Sequence, residues 1–102
     1  MILETAILNV RPGKESAFQA AFAVASPIIA ATPGYISHRL HRSIETSNRY
    51  LLLVQWQTLE SHTVNFRESA NYFEWKQLLH HFYDPFPVVE HYEAIPERSP
   101  AE

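Results

Sequence analysis

The chain has 102 residues, of which 46% are hydrophobic and 19% are charged, with a formal net charge of -3. This size predicts one globular domain without a second core, and the charge balance, which provides no lysine-arginine stripe, argues against a nucleic acid partner. No run approaches the roughly 18 apolar residues that span a bilayer, so we expect no membrane partner, and the absence of cysteine excludes disulfides and thiolate metal sites. Because Met1 leads straight into an apolar stretch that soon meets Glu4, we expect no secretory signal and a cytoplasmic location.

The first half of the chain predicts a strand, a helix and a hairpin. Residues 2–10 partly alternate apolar and polar side chains and stop at a Pro-Gly turn, which is typical of a strand. From Lys14 the apolar residues recur every three or four positions, as on one face of a helix, and we expect Pro27 to kink this helix or restart it after Ser26. Gly34 is expected to end the helix in the left-handed conformation. Residues 35–44 then alternate as a half-buried strand, and the polar link 45–48 predicts a hairpin into the next strand.

The second half predicts a central strand, a broken helix and a final strand. Residues 51–54 are apolar on both faces, which favours a strand covered on each side. Thr58 is the candidate N-cap of the second helix, and the helical phase is lost near Ser69, which we expect to cap a second helical piece. The prolines in 84–87 exclude further helix, and 88–95 reads as the last strand. The predicted domain therefore covers 1–95, followed by a charged tail at 96–102.

The order of elements is strand-helix-strand-strand-helix-strand, which predicts an α+β, ferredoxin-like domain. In this fold a four-stranded antiparallel sheet carries both helices on one face. A domain this small exposes much of its surface, and a third strand that is apolar on both sides needs a cover on the open face of the sheet. A second copy packed sheet against sheet is the simplest cover. We therefore predict a homodimer.

Several segments resemble a known family. The stretch Trp-Gln-Thr-Leu-Glu-Ser-His from Trp56 to His62, the Phe-Arg-Glu-Ser beginning at Phe66, the Tyr-Phe pair ahead of Trp75 and the His-Tyr-Glu of the last strand resemble the antibiotic biosynthesis monooxygenase domain. The resemblance covers about residues 2–95 and implies the dimeric α+β barrel arrangement. Members of that family include quinone-forming monooxygenases that use neither metal nor flavin, haem-degrading enzymes and proteins without an assigned role, so membership implies the fold better than the reaction.

The haem-degrading branch pairs an asparagine in the first strand with a tryptophan and a histidine on the second helix. Here Asn9 lies later in its strand than that branch would place it, and Phe66 occupies the tryptophan position. The axial histidine position falls near Lys76 or Gln77, and two histidines follow about one turn later. We therefore rank haem degradation below the cofactor-independent reaction.

The six histidines invite a metal hypothesis, but their spacing opposes it. His38 and His41 point to opposite faces of a strand, and His80 and His81 diverge by about 100° around a helix. Neither pair has the four-residue spacing of helical zinc ligands, and no cysteine is present to complete a site. We predict no metal site and no cofactor.

Aromatic side chains are candidates to line an apolar pocket between the sheet and the helices. Such rings stack on a flat aromatic ligand and exclude water. The alternative is that they fill the core, which is the commoner role for any single ring on a helical stripe. The candidate pocket-lining residues are Phe22, Trp56, Phe66, Phe73 and Trp75.

Two histidines are candidates for a general base. His62 comes first, because an imidazole takes a proton from a phenol or quinol near neutral pH, and His91 comes second. The alternatives are a hydrogen-bonded histidine at a helix margin for His62 and burial in the dimer seam for His91. Arg67 and Asn9 are candidates to orient a substrate oxygen. An ion pair with Glu68 or Glu74 would explain Arg67 equally well, and a cap of the following turn would explain Asn9.

The resemblance to the family implies a cofactor-independent monooxygenase acting on a small aromatic substrate of the quinol or phenol type. A base would remove a phenolic proton, the anion would pass an electron to dioxygen, and the apolar pocket would exclude water. The alternative is a non-catalytic dimeric domain that binds a small hydrophobic ligand or serves as a stress-related scaffold. A lined cavity with an imidazole in reach favours the enzyme, and a filled core favours the scaffold.

Overall fold

The computed structural model describes residues 1–97 and has the predicted order of elements. The elements are β1 (Ile2–Asn9), α1 (Glu15–Ala30), β2 (Tyr35–Arg42), β3 (Arg49–Trp56), a π-helical turn (Ser61–Phe66), α2 (Ala70–Leu79), a 3-10 turn (His80–Phe82) and β4 (Val89–Glu93). Strands β2 and β4 are shorter than their sequence patterns indicated. The part of the predicted tail at 98–102 lies outside the described residues.

The four strands form one antiparallel sheet in the order β2-β3-β1-β4, so β3 is internal as predicted. Alternation sends one set of side chains from β1 and β3 under the helices, because successive residues of a strand point to opposite faces. The buried apolar members of this set are Ala6, Leu8, Tyr50, Leu52, Val54 and Trp56. The other face of β3 presents Leu51 and Leu53 away from the helices. The fold is therefore the ferredoxin-like α+β arrangement.

Helix α1 packs on the sheet through Phe18, Phe22, Ala25 and Ile29, which recur at the spacing of one helical face. The Phe18 ring lies 4.9 Å from that of Tyr50, and truncating a buried ring of this kind typically costs about 3–5 kcal/mol. The helix runs without a break through Pro27, so the predicted restart after Ser26 is wrong. The proline is exposed near the end of the helix, and the buried residues on both sides of it hold the two parts of α1 to the core.

The second helical region is divided in two, as predicted. Thr58 Oγ1 accepts a hydrogen bond from the Ser61 amide at 3.2 Å, and Ser69 Oγ accepts one from the Tyr72 amide at 3.2 Å. The first piece is π-helical, with the Arg67 amide bonded to the His62 carbonyl at 3.1 Å. Such wide turns are rare and occur frequently at functional sites.

Gly34 fixes the position of the π-helical turn against the rest of the fold. Its φ of 91° confirms the predicted left-handed conformation at the end of α1. A Cβ at this position would overlap Ser61 Oγ, so only glycine allows the link between α1 and β2 to approach the turn this closely. Within residues 1–97, no helix has both the length and the apolar character needed to cross a membrane.

Candidate active site

A cavity of about 360 Å³ lies between the sheet and the helical layer. Its volume is at the small end of the range typical of small-molecule sites, about 300–1,000 Å³. The lining is mainly apolar and aromatic, with the sheet on one side and the helices on the other. The sheet contributes Ala6, Leu8, Leu52 and Val89, and the helices contribute Ile29, Phe66, Tyr72 and Trp75. The core is therefore not filled solidly.

A buried carboxylate stands at one wall of the cavity. Glu4 shares the inward face of β1 with Ala6 and is only 5% exposed. The indole Nε1 of Trp56 donates a hydrogen bond to Glu4 Oε1 at 2.9 Å. Burial raises the pKa of Glu4, and the indole donor and the charge of Arg67 offset part of this effect. The site thus holds a carboxylate that gains a proton more readily than an exposed glutamate does.

His62 lies beside this carboxylate and is 3% exposed. Its ring stacks on Trp56 at a centroid distance of 5.3 Å, and its Nε2 is 3.4 Å from Glu4 Oε1. Burial lowers the pKa of His62 to about 3, and the nearby Arg67 and His91 contribute in the same direction. His62 is therefore neutral near pH 7, and its 3.4 Å contact with Glu4 is not an ion pair. A neutral imidazole is the form that accepts a proton.

The two histidines chosen from the sequence are in direct contact. The register of β1 and β4 places His91 opposite Glu4, and His91 Nε2 lies 2.8 Å from His62 Nδ1. Alternation turns His91 to the helical face of the sheet and Tyr92 to the outer face. His91 is half-buried, and burial together with Arg67 lowers its pKa. The structure thus joins His62 and His91 in one cluster with Glu4.

Arg67 is the cation of this region and lines the cavity. In the described part of the chain, no carboxylate lies within ion-pair distance of its guanidinium, so the alternative of an ion pair with Glu68 or Glu74 is absent here. The charge of Arg67 influences the pKa of both Glu4 and His62. Its position suits the predicted role of orienting an anionic oxygen.

The predicted aromatic residues divide into three groups. Phe66 and Trp75 line the cavity. Trp56 is fully buried behind Glu4, and Phe22 packs edge-on against Trp75 at 5.8 Å, so these two support the lining without forming it. Phe73 does not line the cavity and is 61% exposed, because helix α2 turns the neighbouring Trp75 inward instead.

Asn9 does not lie in the cavity. It lines a separate hollow on the outer face of the sheet, and its side-chain oxygen accepts a hydrogen bond from Arg49 Nε at 3.0 Å. The predicted role in orienting a substrate within the cavity therefore has no support from its position. The reason is strand alternation, which directs odd-numbered residues of β1 away from the helices.

Sequence reasoning missed four aromatic side chains of the cavity, as well as Glu4; they are Tyr72, His80, Tyr83 and Phe86. The rings of His62, Phe66, Tyr72 and His80 follow one another, with centroid distances of 6.3, 5.2 and 6.0 Å. Burial, with a contribution from Lys76, lowers the pKa of His80, and burial raises the pKa of Tyr83. Glu4 had a sequence signal, since it lies in phase with Ala6 and Leu8. The cavity residues that follow α2 had no comparable signal in the sequence.

The arrangement offers a proton acceptor, a cation and an aromatic wall around one small cavity. Within residues 1–97, no group of three or more histidine, aspartate or glutamate side chains is arranged to hold a metal ion. The two nitrogens of His62 instead face two different partners, Glu4 and His91. The chemistry available to these side chains is the binding of a flat ligand and the movement of a proton.

The fold and this cluster define a small ferredoxin-like α+β domain with an acid-imidazole pair at the wall of a small-molecule cavity. Residues 1–78 match the family model described as antibiotic biosynthesis monooxygenase. The chain belongs to the antibiotic biosynthesis monooxygenase family, which confirms the resemblance found in the sequence.

Individual relatives support this membership. An uncharacterized protein of Bacillus subtilis (strain 168), YczJ, is 50% identical over 95 residues, which cover 93% of this chain and 100% of YczJ. A solved structure from Bordetella bronchiseptica, whose name places it in the same family, is 39% identical with a TM-score of 0.88, covering 93% of this chain and 97% of that one. SnoaB from Streptomyces nogalater, a cofactor-independent oxygenase, is 18% identical with a TM-score of 0.71, covering 99% of this chain and 97% of its own. At that identity the likeness to SnoaB shows a common fold alone.

Proposed function

We propose that this protein is a cofactor-independent monooxygenase that acts on a small aromatic substrate of the quinol or phenol type. One observation carries the proposal: the Glu4–His62 pair stands at the wall of a cavity that is lined by aromatic rings. The pair supplies proton acceptors, and the rings suit a flat ligand. The shared fold with SnoaB, a cofactor-independent oxygenase, agrees with this choice.

In the proposed reaction the substrate hydroxyl faces Glu4 and His62. Its O–H bond breaks, the proton moves to this pair, and the electron-rich anion passes an electron to dioxygen. All the electrons that reduce oxygen come from the substrate. Arg67 faces the same cavity and stabilises the anion, and the apolar lining keeps water away from the intermediate.

The test is oxygen uptake by the purified protein with a panel of naphthols and hydroquinones, with product absorbance followed in parallel. We expect uptake above the rate of spontaneous oxidation, and a decrease of about 100-fold or more in His62→Gln and Glu4→Gln, since positioned acid-base groups contribute about 10²–10⁴. The matched control is Phe73→Ala, because that ring is exposed and outside the cavity. It should keep the wild-type rate.

Three results would contradict the proposal. One is uptake that does not change when His62 is replaced. A second is binding of a panel compound without oxygen consumption, which would favour the non-catalytic ligand-binding domain. A third is degradation of haemin, included in the same panel, which would favour the haem-degrading branch.

We also propose that the chain forms a homodimer through the outer face of its sheet. On this face Ile7 is 52% exposed, Tyr92 49% and Leu51 38%. These side chains come from the three adjacent strands β4, β1 and β3, so they form one apolar surface that a second sheet would cover.

Sedimentation equilibrium of the wild-type protein tests this arrangement. We expect the mass of two subunits, and the mass of one subunit for Leu51→Glu, which places a charge within the proposed interface. Val24→Glu is the control, because Val24 is 62% exposed on α1, on the opposite side of the molecule. A wild-type mass of one subunit would disprove the dimer.

A further inference from the structure

We propose that His62 and His91 form a proton relay through which Glu4 exchanges its proton with solvent. The relay deepens the proposed function, because it gives the proton taken from a bound substrate a route out of the protein. His91 acts in it as a positioning and transfer residue outside the cavity, and not as a second base for the substrate.

The three groups are connected by two contacts that lead from the cavity to the half-buried His91. Glu4 Oε1 is 3.4 Å from His62 Nε2, and His62 Nδ1 is 2.8 Å from His91 Nε2. Glu4 and His62 line the cavity, whereas His91 is half-buried and is not part of the lining. When a ligand displaces water from the cavity, the buried pair retains contact with solvent through His91.

Two arrangements of protons fit the 2.8 Å hydrogen bond between the imidazoles and the 3.4 Å contact between His62 and Glu4. When Glu4 is ionised it can only accept, so His62 carries its proton on Nε2 and accepts at Nδ1 from the Nε2–H of His91. His91 Nδ1 is then free to accept a proton. When Glu4 is protonated on Oε1, each bond reverses its direction: Glu4 donates to His62 Nε2, His62 Nδ1–H donates to His91 Nε2, and His91 carries its proton on Nδ1.

The two arrangements differ by one proton, and transfer converts one into the other. In the outward direction the Glu4 O–H bond breaks as an N–H bond forms at His62 Nε2. The His62 Nδ1–H bond breaks as one forms at His91 Nε2, and the His91 Nδ1–H bond breaks as the proton passes to water. One proton has left Glu4 for solvent, and both imidazoles are neutral before and after.

The surroundings favour this exchange over a charged imidazole. Burial raises the pKa of Glu4 from 4.5 and lowers that of His62 to about 3, so an added proton is better placed on Glu4 than on the His62 ring, and burial lowers the pKa of His91 as well. Arg67, at the end of the π-helical turn, adds a positive charge that disfavours imidazolium. Glu93, the other charged residue of β4 on the helical face, is exposed.

The ring nitrogens report the relay directly, without any ligand. In protein labelled with ¹⁵N-histidine and ¹³C-glutamate, we expect His62 and His91 to exchange their protonated nitrogen together, at the pH where Glu4 becomes protonated. Glu4→Gln should abolish the coupled change in both rings, because an amide does not titrate. The exposed His41, on the outer face of β2, serves as an internal reference, and its ring nitrogen signals should be the same in the wild type and in Glu4→Gln.

Two NMR outcomes would overturn the relay. One is a His62 or His91 ring that becomes doubly protonated while Glu4 remains ionised. The other is protonation of Glu4 with no change of tautomer at either ring. If Glu4→Gln does not fold, the titration of the wild-type protein alone distinguishes these outcomes, because all three groups are observed in it.

A kinetic arm uses whichever naphthol or hydroquinone the wild-type protein oxidises. We expect His91→Ala to lower kcat by about 10-fold with little change in KM, and imidazole added to the buffer to restore most of the rate. An unchanged kcat, or a loss that imidazole does not restore, would count against the relay. If the tautomers of the two histidines change together in a protein that consumes no oxygen, the relay is supported and the oxygenase is rejected. Failure of the relay and failure of the proposed function are therefore distinguishable.

Discussion

Replacing His62 by glutamine should remove an acid-sensitive contribution to the stability of the fold. The pKa of His62 is about 3 in the folded protein and has a model-peptide value of 6.5. Between these pH values the unfolded chain binds a proton that the folded protein does not. The contribution of neutral His62 to the free energy of unfolding is therefore complete above pH 6.5 and is lost as the pH falls from 6.5 towards 3. At 1.36 kcal/mol per pKa unit, acidification from about pH 8 to about pH 5 should cost about 2 kcal/mol through this residue.

Urea unfolding followed by tryptophan fluorescence at these two pH values measures the effect. The free energy of unfolding of the wild-type protein should fall on acidification by about 2 kcal/mol more than that of His62→Gln, at equal urea dependence. Glu4, whose raised pKa stabilises the fold as the pH falls, is present in both proteins and largely cancels in the comparison. Phe73→Ala, which changes an exposed ring on α2 and no titratable group, should lose as much stability on acidification as the wild type. An identical loss in His62→Gln and wild type would refute the reasoning.

Substitutions at the joints of the fold provide further tests by urea unfolding. Gly34→Ala should destabilise the protein by well over about 1 kcal/mol, because alanine is strained at φ 91° and its Cβ overlaps Ser61. Gly13→Ala is the matched control, with φ 87° and nothing within 4 Å of the added Cβ, and should cost only about 1 kcal/mol. Equal losses at the two glycines would show that the contact with Ser61 is unimportant. Ser69→Ala should cost about 1 kcal/mol, because it removes the side-chain cap from the Tyr72 amide, whereas an unchanged midpoint would argue against the cap.

The fold could be predicted well because its signals are local. Alternation identified the strands, the three- and four-residue spacing identified α1, and Ser69 marked the division of the second helical region. The expected restart of α1 after Ser26 was wrong for the same reason, since a local rule on proline does not include the buried residues that hold both parts of α1 to the core.

The site could be predicted only in part. His62 and His91 were chosen separately for their chemistry, but their contact depends on the register between β1 and β4, which no short segment records. Glu4 was detectable from its phase in β1, yet its partners became evident only with the packing of Trp56 and the π-helical turn over it.

The sequence by itself determined the succession of strands and helices, the faces they bury and the family to which the chain belongs. Tertiary structure alone decided that a cavity remains under the helices, that the residues following α2 close over it, and that a carboxylate and an imidazole meet at its wall, with a second imidazole in contact with the first. The physical reason is the range of the interactions. Periodic burial and end caps act within a few residues, whereas a cavity and a proton path depend on the relative placement of segments from opposite ends of the chain.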